Sequence, residues 1–388
     1  MSRRPIPPRE RSSGSPPGAK RITLRDVAAR AGLTPAAASL ALRRDRSIPE
    51  ATRLRVVRAA AELHYVPNAA ARALRSRFHR TMGVLIFDEA SESQLAFYGE
   101  VLLAVADEAI RRGCGTLILQ LPGRLADGDG DGDGDADGDA DGTAELLAQT
   151  PIDAAVCIGA PPGERRERQI AALAATGLPF AFIGAREVAG GPVPHVATDY
   201  AAGSFLAVEH LAGLGHRRIA LAAAAADLDL PYIRGRVRGY HDAVARLGLE
   251  SDPELVLAWD VPPDPGAPPV RANAEGVRRA GATAVYAVLF DTARRALVDL
   301  AGAGMAVPRD VAVVGFGDNA SAASLMPPLT VVRQPLGRLG AAAARLLFGQ
   351  LAGEAPAWPV FLPPTLVVRR SCGAPAPDEP APAQGETR

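Results

Sequence analysis

The apolar and polar positions fall into two regimes. From Ile22 to Leu74 they read as helices. The stretch ITLRDVAARAGLTPAAASLALR predicts two short helices around a tight Ala31-Gly32 turn. A third helix follows, then a break at Pro67 and a short helix rich in Arg, Ala and Leu. Thr34-Pro35 marks a helix start: a hydroxyl cap, then Pro at the first turn, where its missing N–H costs nothing. From Thr81 the pattern becomes short apolar runs separated by helical stretches. TMGVLIF, GTLILQ, PIDAAVCIG, PFAFIG, RRIALAAA, ELVLAWD, TAVYAVL and VAVVGF predict strands. Residues 98–112, 164–176, 201–214, 234–247, 273–280 and 292–303 predict helices. This alternation predicts parallel, doubly wound sheets. Two halves of similar size predict a two-lobed body with a ligand cleft between the lobes.

The expected organisation is a disordered basic arm (1–19), a helix-turn-helix domain (20–66), a hinge helix and linker (67–79), and an α/β body (80–372). The first lobe is expected over about 80–211 and 336–362, the second over about 212–335 and 363–372, with a disordered tail at 373–388. Residues 127–142 alternate Asp with Gly or Ala and resemble a calcium loop. Frames starting at Asp127, Asp129, Asp133 and Asp137 put Gly138, Ala140, Ala144 and Ala148 where the bidentate Glu belongs. The favoured reading is a flexible acidic surface insertion, with weak cation binding as the alternative.

Charge sharpens the division. The net charge is zero, yet residues 1–80 carry 18 Lys and Arg against 5 Asp and Glu, while the remainder carries 25 against 38. A basic head on an acidic body predicts a polyanionic partner for the head. Hydrophobic content of 48% leaves no shortage of core material for a globular protein. No apolar stretch reaches the roughly 18 residues of a membrane span, and the basic N-terminus lacks the apolar core of a secretory signal. Cys114, Cys157 and Cys372 are widely spaced and form no CxxC pair, which argues for reduced thiols in a cytoplasm and against a zinc site. No GxxxxGK, HExxH or GxSxG motif is present, and no metal or cofactor is expected.

At Ile22–Leu74 the chain resembles the headpiece of the lactose-repressor (LacI/GalR) family of bacterial transcription regulators. The shared pattern is Thr23 to Ala28 (TLRDVA), Ala31-Gly32, Ser39, Thr52-Arg53, and Tyr65 to Leu74 (YVPNAAARAL). The resemblance continues through the body at Val196 to Gly203, His210 to Ala223, Arg236 to Tyr240, Val307 to Asp318 and Pro327 to Pro335. It implies a helix-turn-helix headpiece on a periplasmic-binding-protein-like type I body. The implied function is control of a pseudo-palindromic operator by a homodimer, most often as a repressor, with a sugar or other metabolite in the interlobe cleft. A solute-binding component of a transporter is the alternative, since it shares the body fold. An enzyme is not expected.

The resemblance implies DNA contacts at Leu24, Arg25, Thr34, Pro35, Ala36, Ser39, Leu40, Arg43, Ser47, Thr52, Arg53 and Asn68. Ala71 and Leu74 fall on the family's hinge helix, where the Leu inserts at the central base step. Implied cleft residues are Phe97, Asp199, Tyr232, Arg236, Phe290, Asp291 and Asp318. Two departures matter. The recognition helix presents Pro35, Ala36, Ala37 and Leu40 where polar readers are common, which shifts specificity towards thymine-methyl contact and indirect readout. In the cleft, Phe290 and Gly317 replace a usual Asn and Asp.

Overall fold

Three short helices open the structure: α1 (Leu24–Ala31), α2 (Pro35–Leu42) and α3 (Glu50–Glu62). The Thr23 backbone N–H and hydroxyl both donate to Asp26 Oδ2 at 2.7 Å, which fixes the start of α1. Gly32 ends α1 at φ 67°, a left-handed turn that a side chain would strain. Thr34 Oγ1 accepts from the Ala37 N–H at 3.2 Å and starts α2. The core of this unit joins Val27, Ala28 and Ala31 to Ala38 and Ala41 and to Val56, Ala59 and Ala60. Most of these side chains are alanine, so the unit relies on close helix approach rather than on large buried area.

The computed structural model describes residues 22–42, 45, 47–63, 65, 78–87, 92–121, 145–159, 164–184, 187–188, 191–228, 230–262, 264 and 266–375. The chain forms two units, Met1–Arg77 and Phe78–Arg388. The second unit begins with β1 (Thr81–Ile86), α4 (Glu92–Arg111), β2 (Gly115–Gln120), β3 (Ala154–Ile158), α5 (Glu164–Ala175), β4 (Phe180–Ile183) and β5 (His195–Thr198). Next come α6 (Tyr200–Gly213), β6 (Ile219–Ala223), α7 (Pro231–Arg246), β7 (Val256–Ala258), α8 (Arg271–Arg279) and β8 (Ala284–Ala287). The last elements are α9 (Phe290–Gly302), β9 (Ala312–Phe316), β10 (Thr330–Arg333), α10 (Leu336–Leu351), β11 (Val360–Leu362) and β12 (Thr365–Val367).

Two six-stranded sheets result. The first has the order β11-β5-β4-β3-β1-β2, paired in parallel throughout. The second has the order β12-β10-β9-β8-β6-β7, parallel except where β12 runs antiparallel to β10. Strands β3, β6, β8 and β9 are buried along their whole length, as expected of parallel sheets covered on both faces. Each lobe therefore carries two apolar layers, one per sheet face.

The lobe boundary departs from the sequence reading. The sequence boundary near residue 211 places α6 largely in the first lobe. Its Ala207, Val208 and Leu211 instead pack into the second-lobe core with Ile219, Tyr240 and Val314. Gly239 of α7 explains the fit: a Cβ there would lie 2.2 Å from Ala201 O, so only glycine lets α6 and α7 cross this closely. Helix α10, by contrast, packs into the first-lobe core through Leu339, Ala343 and Leu347. The expected seven-residue strand at Glu254–Asp260 is shorter. Pro253–Leu255 form a turn capped by the Asp252 side chain, and β7 spans only three residues.

A polar knot holds the second lobe beneath β7. Asp299, fully buried, accepts from Trp259 Nε1 at 3.0 Å, Asn273 Nδ2 at 2.6 Å and the Val270 N–H at 2.8 Å. It also pairs with the buried Arg295 at 2.7 Å. Removing one side of a buried ion pair leaves an uncompensated charge. Asp299→Ala is expected to lower stability by about 3–5 kcal/mol in urea titration. A loss under about 1 kcal/mol would mean that Arg295 does not depend on this carboxylate.

Candidate DNA-reading headpiece and ligand cleft

The exposed start of α2 is formed by Thr34, Pro35 and Ala36, with Ser39 and Leu40 half-buried one turn on. The polar side chains nearby are already engaged. Thr34 caps α2. The Ser47 hydroxyl donates to Asp45 Oδ1 at 2.6 Å, and Arg53 pairs with Glu50. Leu24 is half-buried against the helical core, so its main role is packing. Arg25 is exposed, and Thr52 is half-buried. Arg43, Asn68, Ala71 and Leu74 lie outside the described residues, as do the arm, the 127–142 insertion and the tail beyond 375.

In the body the chain crosses between the lobes three times: after β5, after β10 and after β11. Thr198 Oγ1 donates to Gln334 Oε1 at 3.1 Å, tying the first crossover to the second. The Asp199 N–H donates to Leu362 O at 2.9 Å, tying the first to the third. Asp199 also starts α6, its Oδ1 accepting from the Ala202 N–H at 2.9 Å.

Arg236 of α7 lies beside the first crossover and is 3% exposed. Its guanidinium sits 3.8 Å from the Phe316 ring centroid, 5.1 Å from Tyr200 and 5.4 Å from Tyr232. One terminal nitrogen donates to Val288 O at 2.5 Å, while the buried Nε has no partner among the described residues. No carboxylate pairs with this cation among the described residues, and burial lowers its pKa. Asp199 and Arg236, both implied cleft residues, form no ion pair with each other. Two acids flank the cage. Asp227 is half-buried; its pKa is raised by burial, opposed by Arg236 and reinforced by Asp291. Asp291, 44% exposed, faces Arg294 at 3.9 Å.

Two expected cleft residues take other roles. Phe290 is 8% exposed and packs into the second-lobe core with Ala293 and Leu329. Burying an aromatic ring there stabilises the lobe by about 2–3 kcal/mol, whereas an Asn would need hydrogen-bond partners. Asp318 is fully engaged: Oδ1 accepts from Arg369 at 2.9 Å and Oδ2 from Arg333 Nε at 2.7 Å. It clamps the ends of β10 and of the β12 segment, with both oxygens already answered by arginines. The side chain of Phe97 lies outside the described residues. Sequence reasoning missed Tyr200, Asp227 and Phe316. The first follows Asp199 directly and the last ends a strand, so each sat beside a residue already singled out.

Comparison with known proteins decides the family. Residues 23–68 match the model for bacterial regulatory proteins of the lacI family, and residues 208–372 match a periplasmic binding protein-like domain. The transcriptional regulator CelR of Thermobifida fusca is 32% identical over 342 residues, covering 86% of this chain and 93% of that protein. The chain belongs to the LacI family of transcriptional regulators. The PurR repressor of Aliivibrio salmonicida is 25% identical over 353 residues, spanning 90% of this chain and 98% of its own. Among solved structures, the CelR–cellobiose complex is 30% identical with a TM-score of 0.61, covering 90% of this chain and all of that one. The lac repressor dimer bound to operator and an anti-inducer shares the fold at 23% identity and a TM-score of 0.66, covering 92% and 100%. Both sheets and the headpiece of this LacI-family regulator thus have counterparts in one solved architecture.

The raised Asp227 predicts a pH signature for this regulator. Its folded pKa lies above the ordinary carboxylate value of 3.8, so the folded state holds its proton more tightly than the unfolded chain. The ionised carboxylate therefore destabilises the fold above its raised pKa, and that penalty disappears below the unfolded value. Asp227→Asn is expected to raise the melting temperature at neutral pH and to leave it unchanged in strong acid. A gain that is constant with pH, followed by calorimetry, would assign the effect to packing instead.

Proposed function

We propose that this regulator is a cytoplasmic, homodimeric operator-binding repressor, without catalytic activity, whose DNA affinity is set by a hydroxylated small molecule in the interlobe cleft. The observation that carries the ligand reading is Arg236: a buried cation with no carboxylate partner among the described residues and an unpartnered Nε. A buried charge without a partner costs several kcal/mol unless something completes it. Three aromatic faces and the acceptors of Asp199, Asp227 and Asp291 would complete a site for a polyhydroxylated ring. The CelR relative is solved with cellobiose, which supports a sugar of that kind.

Tyr200 and Asp199 stand at the first crossover, so a ligand held there would favour one lobe arrangement over another. Coupling of about 1–3 kcal/mol is typical of such linkage. The proposed DNA side consists of the start of α2 and Arg25 in the major groove, with Leu74 and Ala71 of the hinge wedging the minor groove.

Fluorescence anisotropy with operator and random duplexes tests both halves. Leu74→Ala is expected to weaken operator binding at least about tenfold and random-DNA binding by no more than about twofold. Equal losses on both duplexes overturn the wedge. Arg236→Met should keep operator affinity and lose the response to ligand, and a retained response removes Arg236 from the site.

A homodimer supplies the second half-site reader. Leu103 and Ile110 lie seven residues apart on the outer stripe of α4 and are 70% and 68% exposed. Ile118, on the same sheet face as Val84, is 53% exposed on the free edge strand β2. We assign this apolar surface to the partner subunit. Leu103→Asp with Ile110→Asp should halve the mass seen by sedimentation equilibrium; an unchanged mass would place the dimer face elsewhere.

A further inference from the structure

A second cavity, separate from the cleft, opens where the chain enters the first lobe. Its volume is about 240 Å³, and Phe78, Arg80, Met82, Arg112, Phe348 and Leu351 line it. The walls are apolar, with two arginines among the lining residues. Arg112 stacks on the Phe348 ring at 4.7 Å and is already paired with Glu108. Arg80 is different: it is exposed and makes no side-chain hydrogen bond or ion pair among the described residues.

The backbone of Arg80 is held in an unusual state. It has φ 56°, the only left-handed non-glycine residue among those described. The cause is Asp153, whose carboxylate accepts from the His79 N–H at 2.6 Å and from the Thr81 N–H at 2.9 Å. Gripping the residues on either side turns Arg80 between them, at a cost of order 1 kcal/mol for a residue with a Cβ. The same grip satisfies Asp153, so the acid lining this cavity has both oxygens occupied. The strained Arg80 backbone thus carries a guanidinium with no carboxylate partner among the described residues to the edge of an apolar chamber.

We propose that this cavity binds a small amphipathic organic anion, with the acyl or aryl body against Phe78, Met82 and Leu351 and the carboxylate on Arg80. A guanidinium matches a carboxylate in geometry and charge, while the chamber supplies the apolar burial that acetate or phosphate could not use. Such a ligand would touch residues 78–82, the segment through which the linker joins the body.

Cys114 lines the same cavity and reports on it. It is half-buried, whereas Cys157 and Cys372 are buried, so mild alkylation of the folded protein should modify Cys114 alone. Burial, reinforced by Asp153, raises its pKa, so the reaction is best run at mildly alkaline pH. The test uses full-length protein, iodoacetamide and mass spectrometry of the three cysteines.

Octanoate should slow Cys114 alkylation along a saturable curve, about tenfold at ten times half-saturation. Octanol should protect much less, and acetate not at all. Arg80→Gly removes the charge while suiting the left-handed backbone, and it should shift the octanoate curve about tenfold to higher concentration. Leu351→Trp should fill the chamber and abolish protection. Should that variant unfold, Cys157 and Cys372 will react as well, and Arg80→Gly decides alone. Absence of protection, equal protection by octanol, or an unshifted curve in Arg80→Gly overturns the proposal.

Discussion

The body is governed by one constraint: its three passages between lobes are fastened to one another. Thr198 holds Gln334, Asp199 holds Leu362, and Asp318 holds both Arg333 and Arg369. Separate crossovers would let the lobes slide apart or twist freely. Fastened together they leave rotation about the bundle as the soft motion. Position along the chain then decides which residues feel that rotation. Tyr200 is the first residue of α6, directly beyond the bundle, and its ring stands over the Arg236 guanidinium. Anything that binds Arg236 and Tyr200 therefore acts close to the pivot, where a small displacement becomes a large change at the far end of a lobe.

Arg236 contributes little to stability in its present form. Cation–π contacts with three rings offset part of its desolvation, but each is worth only about 1–2 kcal/mol. A well-packed apolar side chain of similar volume would hold α7 against β9 at lower cost. Asp318 shows the contrast. Its two arginines answer both oxygens, and it is a structural clamp although it stands where a ligand contact was expected. Burial of a charge is thus not the mark of a ligand site. A buried cation with no carboxylate partner among the described residues, as at Arg236, is what favours the ligand proposed there.

The alternation of strands and helices was legible because each core strand is a run such as AAVCI or AVVGF between turn residues. The segments around the crossovers were not. Strands β5, β10, β11 and β12 are three or four residues long, too short to show a period, and they exist because neighbouring strands supply hydrogen-bond partners. Helix α10, LGRLGAAAARLLFGQL, does carry a readable period: Leu336, Leu339, Ala343 and Leu347 recur at helical spacing and are buried, with Arg338 and Arg345 exposed. Site residues failed for a related reason. Phe290 and Asp318 occupied the right sequence positions, but which side chains are free to meet a ligand depends on partners 15 or more residues away or on core packing. Asp227 was missed because nothing local marks it; its importance comes from Arg236 and Asp291 in space.

The headpiece repeats that lesson on a smaller scale. A sequence reading counts Thr34, Ser47 and Arg53 as polar groups available to DNA. The fold uses Thr34 to start α2, Ser47 to close an Asp45 turn and Arg53 to meet Glu50. Of these, the Arg53–Glu50 pair is a surface contact worth at most about 1 kcal/mol, so a phosphate can displace it. A cap cannot be exchanged so readily, because losing it frees a helix terminus. Among the described residues, the exposed tip of α2 is left with Pro35 and Ala36, whose side chains suit thymine methyls and carry no donor or acceptor. On the proposed reading of the headpiece, discrimination between operators would rest more on how easily each sequence bends and unstacks.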